Sequence, residues 1–200
     1  MARVVLASGN PGKLREFSDL LADKGFELAR QSDFGIEPPP ETGVTFLENA
    51  LIKARNAARR AGLPAIADDS GIEVDALDGA PGVWSARFAG EDASDEANLD
   101  KLLRSLAGLP DARRGARYRC VIVYVRSADD PHPLVGTGTW EGRIIETRRG
   151  TGGFGYDPSF VPAGGTRTVA EMTAADKHSV SHRGQAMRAF LAQLDARDRG

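Results

Sequence analysis

The chain has 200 residues, enough to bury a substantial core in one domain without disulfide staples. Its 26 Lys and Arg against 28 Asp and Glu leave a formal net charge of -2, so no overall basic field exists to hold a nucleic acid polymer by its phosphates, while small phosphorylated ligands remain open. The single cysteine, Cys120, excludes an internal disulfide, and with neither a signal-peptide pattern nor a membrane-length apolar run the expectation is a cytoplasmic protein with no membrane partner.

Residues 4–7 form a short apolar run that reads as a strand, and it ends in Ser8-Gly9-Asn10-Pro11-Gly12-Lys13. Leu14, Phe17, Leu20 and Leu21 then recur at helical spacing. A strand is predicted at 26–29, followed by the extended Glu37-Pro38-Pro39-Pro40 connection, which cannot be regular helix. Thr45-Phe-Leu-Glu48 has the pattern of a capping box, so a second helix starts there and ends by Gly62. A buried strand at 64–67 runs into Asp68-Asp69-Ser70-Gly71, and residues 72–77 read as another strand before the Gly79-Ala-Pro-Gly82 turn. Further along come a helix at 98–106, two long strands at 117–126 and 134–145 joined by a loop with Pro131 and Pro133, and a final helix at 183–194. Local strand-helix-strand units beside a long hairpin predict an α/β fold with a mixed sheet. No repeat or linker divides the chain, so residues 1–200 read as a single domain.

Four constellations carry candidate chemistry. In Ser8 to Lys13, a loop leaves a strand for a helix whose free amides favour anions; Gly9 and Gly12 permit close approach, Ser8 and Asn10 add polar groups, and Lys13 adds positive charge. The spacing is not that of a Walker A loop, and an ordinary strand-to-helix turn is also compatible with it. Asp68 and Asp69 end an apolar strand, where neighbouring side chains point opposite ways, so Asp69 is taken as the member facing a site. With Glu41 as a further oxygen they suit Mg2+, whereas one cysteine and three histidines make zinc improbable. Turn formation through Asx bonds is the competing account of the two aspartates.

The third constellation, Lys177-His178-Ser-Val-Ser-His182-Arg183-Gly184, gathers donors ahead of the last helix, for which Ser181 is the predicted N-cap; a solvated basic turn would look the same. Lys53 is a lesser candidate on the helix after Thr45, and Trp84, Arg87 and Phe88 could wall a cleft or subunit contact. The fourth is Gly150-Thr-Gly-Gly-Phe-Gly-Tyr-Asp-Pro158, where glycines free the backbone to pass close to a flat ring, Phe154 can stack on it and Asp157 can accept from its edge. A glycine-rich turn with Phe154 merely buried also fits. The text match to G-x-G-x-x-G is rejected, because Tyr156-Asp157-Pro158 does not open a helix. Taken jointly, cradle, acidic corner, stacking loop and donor cluster are the parts a nucleoside triphosphate needs.

Those motifs, together with Glu41-Thr-Gly43, Phe46-x-Glu-Asn-Ala50 and Gly79-Ala-Pro-Gly82, resemble from end to end the inosine triphosphate pyrophosphatase family, in its bacterial form with Ala86 where eukaryotic members carry lysine. The resemblance implies an elongated mixed-sheet α/β fold with two lobes around a central cleft. It further implies Mg2+-dependent hydrolysis of ITP, dITP or XTP to monophosphate and pyrophosphate, and a homodimer. By position it makes Asp69 the catalytic residue and a metal ligand with Asp68 and Glu41. Ser8, Gly9, Asn10, Pro11, Gly12 and Lys13 would grip the triphosphate, with Lys53 a further phosphate contact and Ser70 touching substrate. Phe154, Gly155, Tyr156, Asp157, Lys177, His182 and Arg183 would enclose base and sugar.

Overall fold

The computed structural model describes residues 2–8, 17, 18, 21 and 24–197. Six strands hydrogen-bond in the order β2-β1-β3-β4-β5-β6: β1 is Ala2–Leu6, β2 Phe26–Arg30, β3 Ala65–Val74, β4 Gly115–Val125, β5 Leu134–Ile144 and β6 Phe160–Pro162. The sheet is mixed, since β1 runs parallel to β2 and β3 while β5 and β6 are antiparallel. Four helices of seven or more residues are described over their whole length: α1 Phe46–Ala61, α2 Asp95–Ser105, α3 Ala174–Val180 and α4 His182–Arg197. The α/β class with a mixed sheet is therefore as expected.

The chain divides into two compact units. Unit 1 comprises residues 1–69, 121–136 and 187–200, and unit 2 residues 70–120 and 137–186. In unit 1, α1 buries Ala50, Ala54, Ala57 and Ala58 against Val5, Ala65, Ala67, Val123 and Val125. That spacing is one face of a 3.6-residue helix, and its side chains are single methyl groups, so the helix axis packs close to the strands. The N-terminus of α1 is fixed by the predicted capping box: Thr45 Oγ1 accepts the Glu48 N–H at 3.2 Å, and Glu48 accepts from the amides of Val44 and Thr45. A cap of this kind contributes about 1 kcal/mol. Gly62, in the left-handed region at φ 65°, ends the helix as predicted.

Unit 2 has its own core, in which Ile72, Val74, Leu99, Leu102, Tyr118, Trp140, Ile144 and Phe160 are buried together. Tyr118 and Trp140 both meet Phe160 edge-on or tilted, at 4.7 and 5.8 Å between centroids. Two local expectations need correction and one alternative account is set aside. Residues 64–67 and 72–77 are not two strands, because β3 runs unbroken through Asp68-Asp69-Ser70-Gly71. Polar residues usually mark a strand end, but here the carboxylates find a partner without leaving the sheet. Lys177 and His178 are not in a basic turn but on α3, which Thr173 caps by accepting the Asp176 N–H. Residues 75–77, placed in a strand by sequence, form a 3-10 turn.

The β4–β5 connection is closed by one buried carboxylate. Asp130 accepts from the Arg126 amide and guanidinium at 2.8 to 3.0 Å and from the His132 amide at 3.0 Å. Hydrogen bonding to Arg126 holds its carboxyl well below the usual carboxylate range. A folded pKa below the unfolded one gives stability that is full above about pH 4 and is lost as pH falls through the folded value. Asp130→Asn is expected to lower Tm at about pH 7, and thermal unfolding near pH 3 should find a smaller difference from the parent.

Candidate functional site

In unit 1, the middle of β3, the helix α1 and the segment bearing Glu41 meet at one charge cluster. The parallel register pairs Leu6 with Ile66, and the Ala7 N–H bonds the Ile66 carbonyl, so the chain leaves β1 at Ser8 while β3 continues into Asp68 and Asp69. Both aspartates are buried, at 1% and 8% exposure, which an ionised carboxylate tolerates only with a compensating partner. That partner is Lys53, two turns into α1. Its Nζ donates at 2.8 Å to Asp69 Oδ1 and at 2.8 Å to Glu41 Oε1. Burial pulls the Lys53 pKa down, but the charges of Asp69 and Asp68 and the bonds to Asp69 and Glu41 overcome it, so the ammonium is held charged. Burial pushes the Asp69 carboxyl up, more than Lys53 pulls it down, leaving a stronger base than an ordinary aspartate.

Two carboxylate oxygens thus point at a single cation position. Such hard oxygen donors fit a hard divalent ion. The expected three-ligand set is only partly assembled: among the described residues no group of three or more Asp, Glu, His or Cys forms a ready-made metal cluster, and Asp68 acts on Lys53 and on Asp69 through its nearby charge. Gly9, Asn10, Pro11, Gly12 and Lys13, the body of the predicted phosphate cradle, lie outside the described residues. The helix predicted after them includes Phe17, Ser18 and Leu21, which are helical, with Phe17 and Leu21 fully buried.

In unit 2, Gly150 to Pro158 is a loop held from several sides. The Gly152 amide bonds the Ala170 carbonyl at 3.0 Å, the Gly155 amide donates to Asp95 Oδ2 at 2.8 Å, and Tyr156 donates its hydroxyl to the Ser85 carbonyl at 2.7 Å. Gly153 sits at φ 73°, and any Cβ there would run into the Asp157 carboxylate, so glycine is required twice over. Phe154 is 59% exposed, a ring offered to solvent rather than buried, which sets aside the plain-turn account. A cavity of about 240 Å³ opens beside it, lined by Asp95, Glu96, Leu99, Arg148, Phe154 and Pro158.

Asp157 differs from its expected role. It is 2% exposed and already engaged: Oδ1 accepts from the Tyr118 hydroxyl at 3.1 Å, and Oδ2 accepts from the Phe154 amide at 3.0 Å and Lys177 Nζ at 2.5 Å. It holds the loop and the lysine from beneath instead of presenting free oxygens to a ring edge. Lys177 lies 4.5 Å from the Phe154 centroid, joining ring and carboxylate. His182 opens α4, stacked on Tyr118 at 4.7 Å and 10° between planes, with Trp140 beyond at 6.5 Å. Ser181 accepts the Gly184 N–H at 3.2 Å, as an N-cap should. Arg87 does not stand apart as a cation: its guanidinium covers Trp84 at 4.5 Å and its Nε lies 3.9 Å from Glu91.

The Ham1 family model matches residues 4–193, which takes in all four constellations. The chain belongs to the Ham1 family. It is 57% identical to the dITP/XTP pyrophosphatase of Yersinia pestis over 195 residues, covering 97% of this chain and 98% of that protein. It is 54% identical, with the same coverage, to the dITP/XTP pyrophosphatase of Escherichia coli strain K12. Among solved structures, a HAM1 protein from Coxiella burnetii superposes with a TM-score of 0.94 at 45% identity, covering 98% of this chain and all of that one.

Within this Ham1 chain, sequence reasoning missed Tyr118, Trp140 and Gly138. Tyr118 and Trp140 sit at alternating apolar strand positions and read as core; only their contacts with Asp157 and His182 reveal a second role. Gly138 lacks any turn signal, yet a Cβ there would collide with the His182 carbonyl. Gly43 belongs to a recognised motif, and its reason is now plain. Its amide donates to Asn49 Oδ1 at 2.8 Å, and a Cβ would come within 2.6 Å of Glu48 Cβ and 2.7 Å of Asn49 Oδ1. Gly43→Ala should therefore shift the segment bearing Glu41 and lower kcat/KM for nucleoside triphosphate hydrolysis by about tenfold to a hundredfold, more than its change in Tm would suggest.

Proposed function

We propose that this chain hydrolyses non-canonical purine nucleoside triphosphates, dITP, ITP and XTP, to the monophosphate and pyrophosphate with Mg2+, acting as a cytoplasmic homodimer that clears such nucleotides from the pool. The observation that carries the reading is the convergence of Asp69 and Glu41 on Lys53 beside a buried Asp68, in a chain related over nearly its whole length to proteins named dITP/XTP pyrophosphatase. A nucleotide-binding regulatory module would not need carboxylates buried around a lysine at such cost.

In this reading Asp69 takes a proton from water as the water oxygen bonds to the α-phosphorus, and the bond to the bridging oxygen breaks to release pyrophosphate. Its burial-raised basicity suits that role. Glu41, Asp68 and Asp69 would hold the divalent ion, whose charge would neutralise the phosphates when bound. Lys53 balances the carboxylates and is assigned to the phosphates of the loaded enzyme, alongside Ser8 and the segment Gly9 to Lys13. Ser70 follows Asp69 and is assigned to the sugar-phosphate. Phe154 stacks on the base, which every purine permits, so choice among purines lies with the edge. Lys177, His182 and Arg183, with the amide of Tyr156, would supply donors for a 6-keto group, while Gly155 lets the backbone pass close to the base. An adenine amino group opposite them leaves donors unpaired at about 1–3 kcal/mol each.

Incubation with dITP, XTP, GTP and ATP, with pyrophosphate and orthophosphate assayed separately, is expected to give pyrophosphate from dITP and XTP and little turnover of ATP. Orthophosphate as the first product would point to a different phosphohydrolase, and no turnover to a binding module. Asp69→Asn should fold normally and lose at least about a hundredfold in kcat; retention of a tenth of the activity would remove Asp69 from its role. Chelation by EDTA should abolish turnover and readdition of Mg2+ restore it.

A further inference from the structure

Tyr118 is a single side chain in contact with both arms of the unit 2 donor cluster. Its hydroxyl donates to Asp157 Oδ1 at 3.1 Å, and Asp157 in turn accepts from Lys177 and from the amide of Phe154. Its ring lies flat against His182 at 4.7 Å. Phe160 meets the same ring edge-on, which leaves Tyr118 little freedom to tilt. Burial and the adjacent Asp157 carboxylate raise the Tyr118 pKa well above its usual value, so the hydroxyl remains a neutral donor.

We propose that Tyr118 is a positioning residue for base discrimination: through its hydroxyl it fixes the Asp157 carboxylate that holds Lys177 over Phe154, and through its ring it fixes the plane of His182. This rests on the reading of unit 2 as the base-recognition part of the enzyme. Phe154 stacks on any purine, so selectivity requires donors whose positions do not adapt to the wrong edge. Lys177 has a flexible four-carbon stem and sits on a seven-residue helix, and His182 has a rotatable ring. Neither is rigid by itself. Tyr118, on the central strand β4 with its ring clamped, supplies the missing rigidity to both.

Tyr118→Phe separates the two arms, since it keeps the ring against His182 and removes only the donor to Asp157. The expected result is a rise in KM for dITP and a fall of about fivefold or more in the dITP-over-dATP ratio of kcat/KM, with kcat affected much less. In a double-mutant cycle, Tyr118→Phe and Lys177→Ala should be non-additive on that ratio, because the first acts through the second. Additive effects, or a Tyr118→Phe ratio within about twofold of the parent, would overturn the proposal. Tyr118→Phe is isosteric and its folding is checked by near-UV circular dichroism; a purely structural tyrosine would move Tm and leave the ratio alone. Should Lys177→Ala by itself leave the ratio unchanged, the assignment of the base edge to Lys177 fails, and that outcome is distinct from additivity.

Discussion

Two buried aspartates in the middle of a strand are an electrostatic debt that the fold must meet before anything else can be built on it. Lys53 offsets part of it, at 2.8 Å from both Asp69 and Glu41 and within reach of the Asp68 charge. Removing Lys53 would leave uncompensated buried carboxylates, which costs about 3–5 kcal/mol. The architecture around it follows: α1 must begin where Thr45 and Glu48 cap it, so that Lys53 falls two turns later, and Glu41 must be delivered by an extended segment that regular helix could not follow. Because burial still leaves Asp69 more basic than usual, the same cluster that stabilises the fold retains chemical reactivity.

Unit 2 solves a different problem with neutral and charged contacts mixed. Its loop is pinned by Asp95, Ser85, Ala170 and Asp157 so that Phe154 can stay exposed without the loop collapsing onto it. An exposed aromatic ring is favoured by neither solvent nor packing, and it persists because the surrounding backbone is already hydrogen-bonded elsewhere. Lys177 gives the ring a cationic neighbour and Asp157 gives Lys177 a counter-charge. The exposed ring is thereby carried on a loop whose rigidity comes from its hydrogen bonds to neighbouring elements.

Sequence patterns reached the parts of this molecule governed by local chemistry. The capping box at Thr45, the stop at Gly62, the extended prolines, the long β4 and β5 strands and the N-cap at Ser181 are each dictated by a few adjacent residues, and each was readable. Failures came where partners distant in sequence decide. Asp68 to Gly71 look like a strand end unless Lys53 is known to face them. Asp157 looks like a ligand contact until Tyr118 and Lys177 are seen to engage it. Gly138 carries no local signal at all, because its requirement is set by the His182 backbone 44 positions later.

The alanine face of α1 has a mechanical meaning beyond burial. Ala50, Ala54, Ala57 and Ala58 act as shims of one methyl thickness between the helix and the strands that carry Ala65 and Ala67. They set the height at which the Lys53 stem leaves the helix, and a thicker shim would lift the ammonium off its two acceptors. Mutational tolerance in this stretch is therefore governed by ångströms of stand-off rather than by hydrophobicity, and an isoleucine that would enrich an ordinary core would here detune a charge.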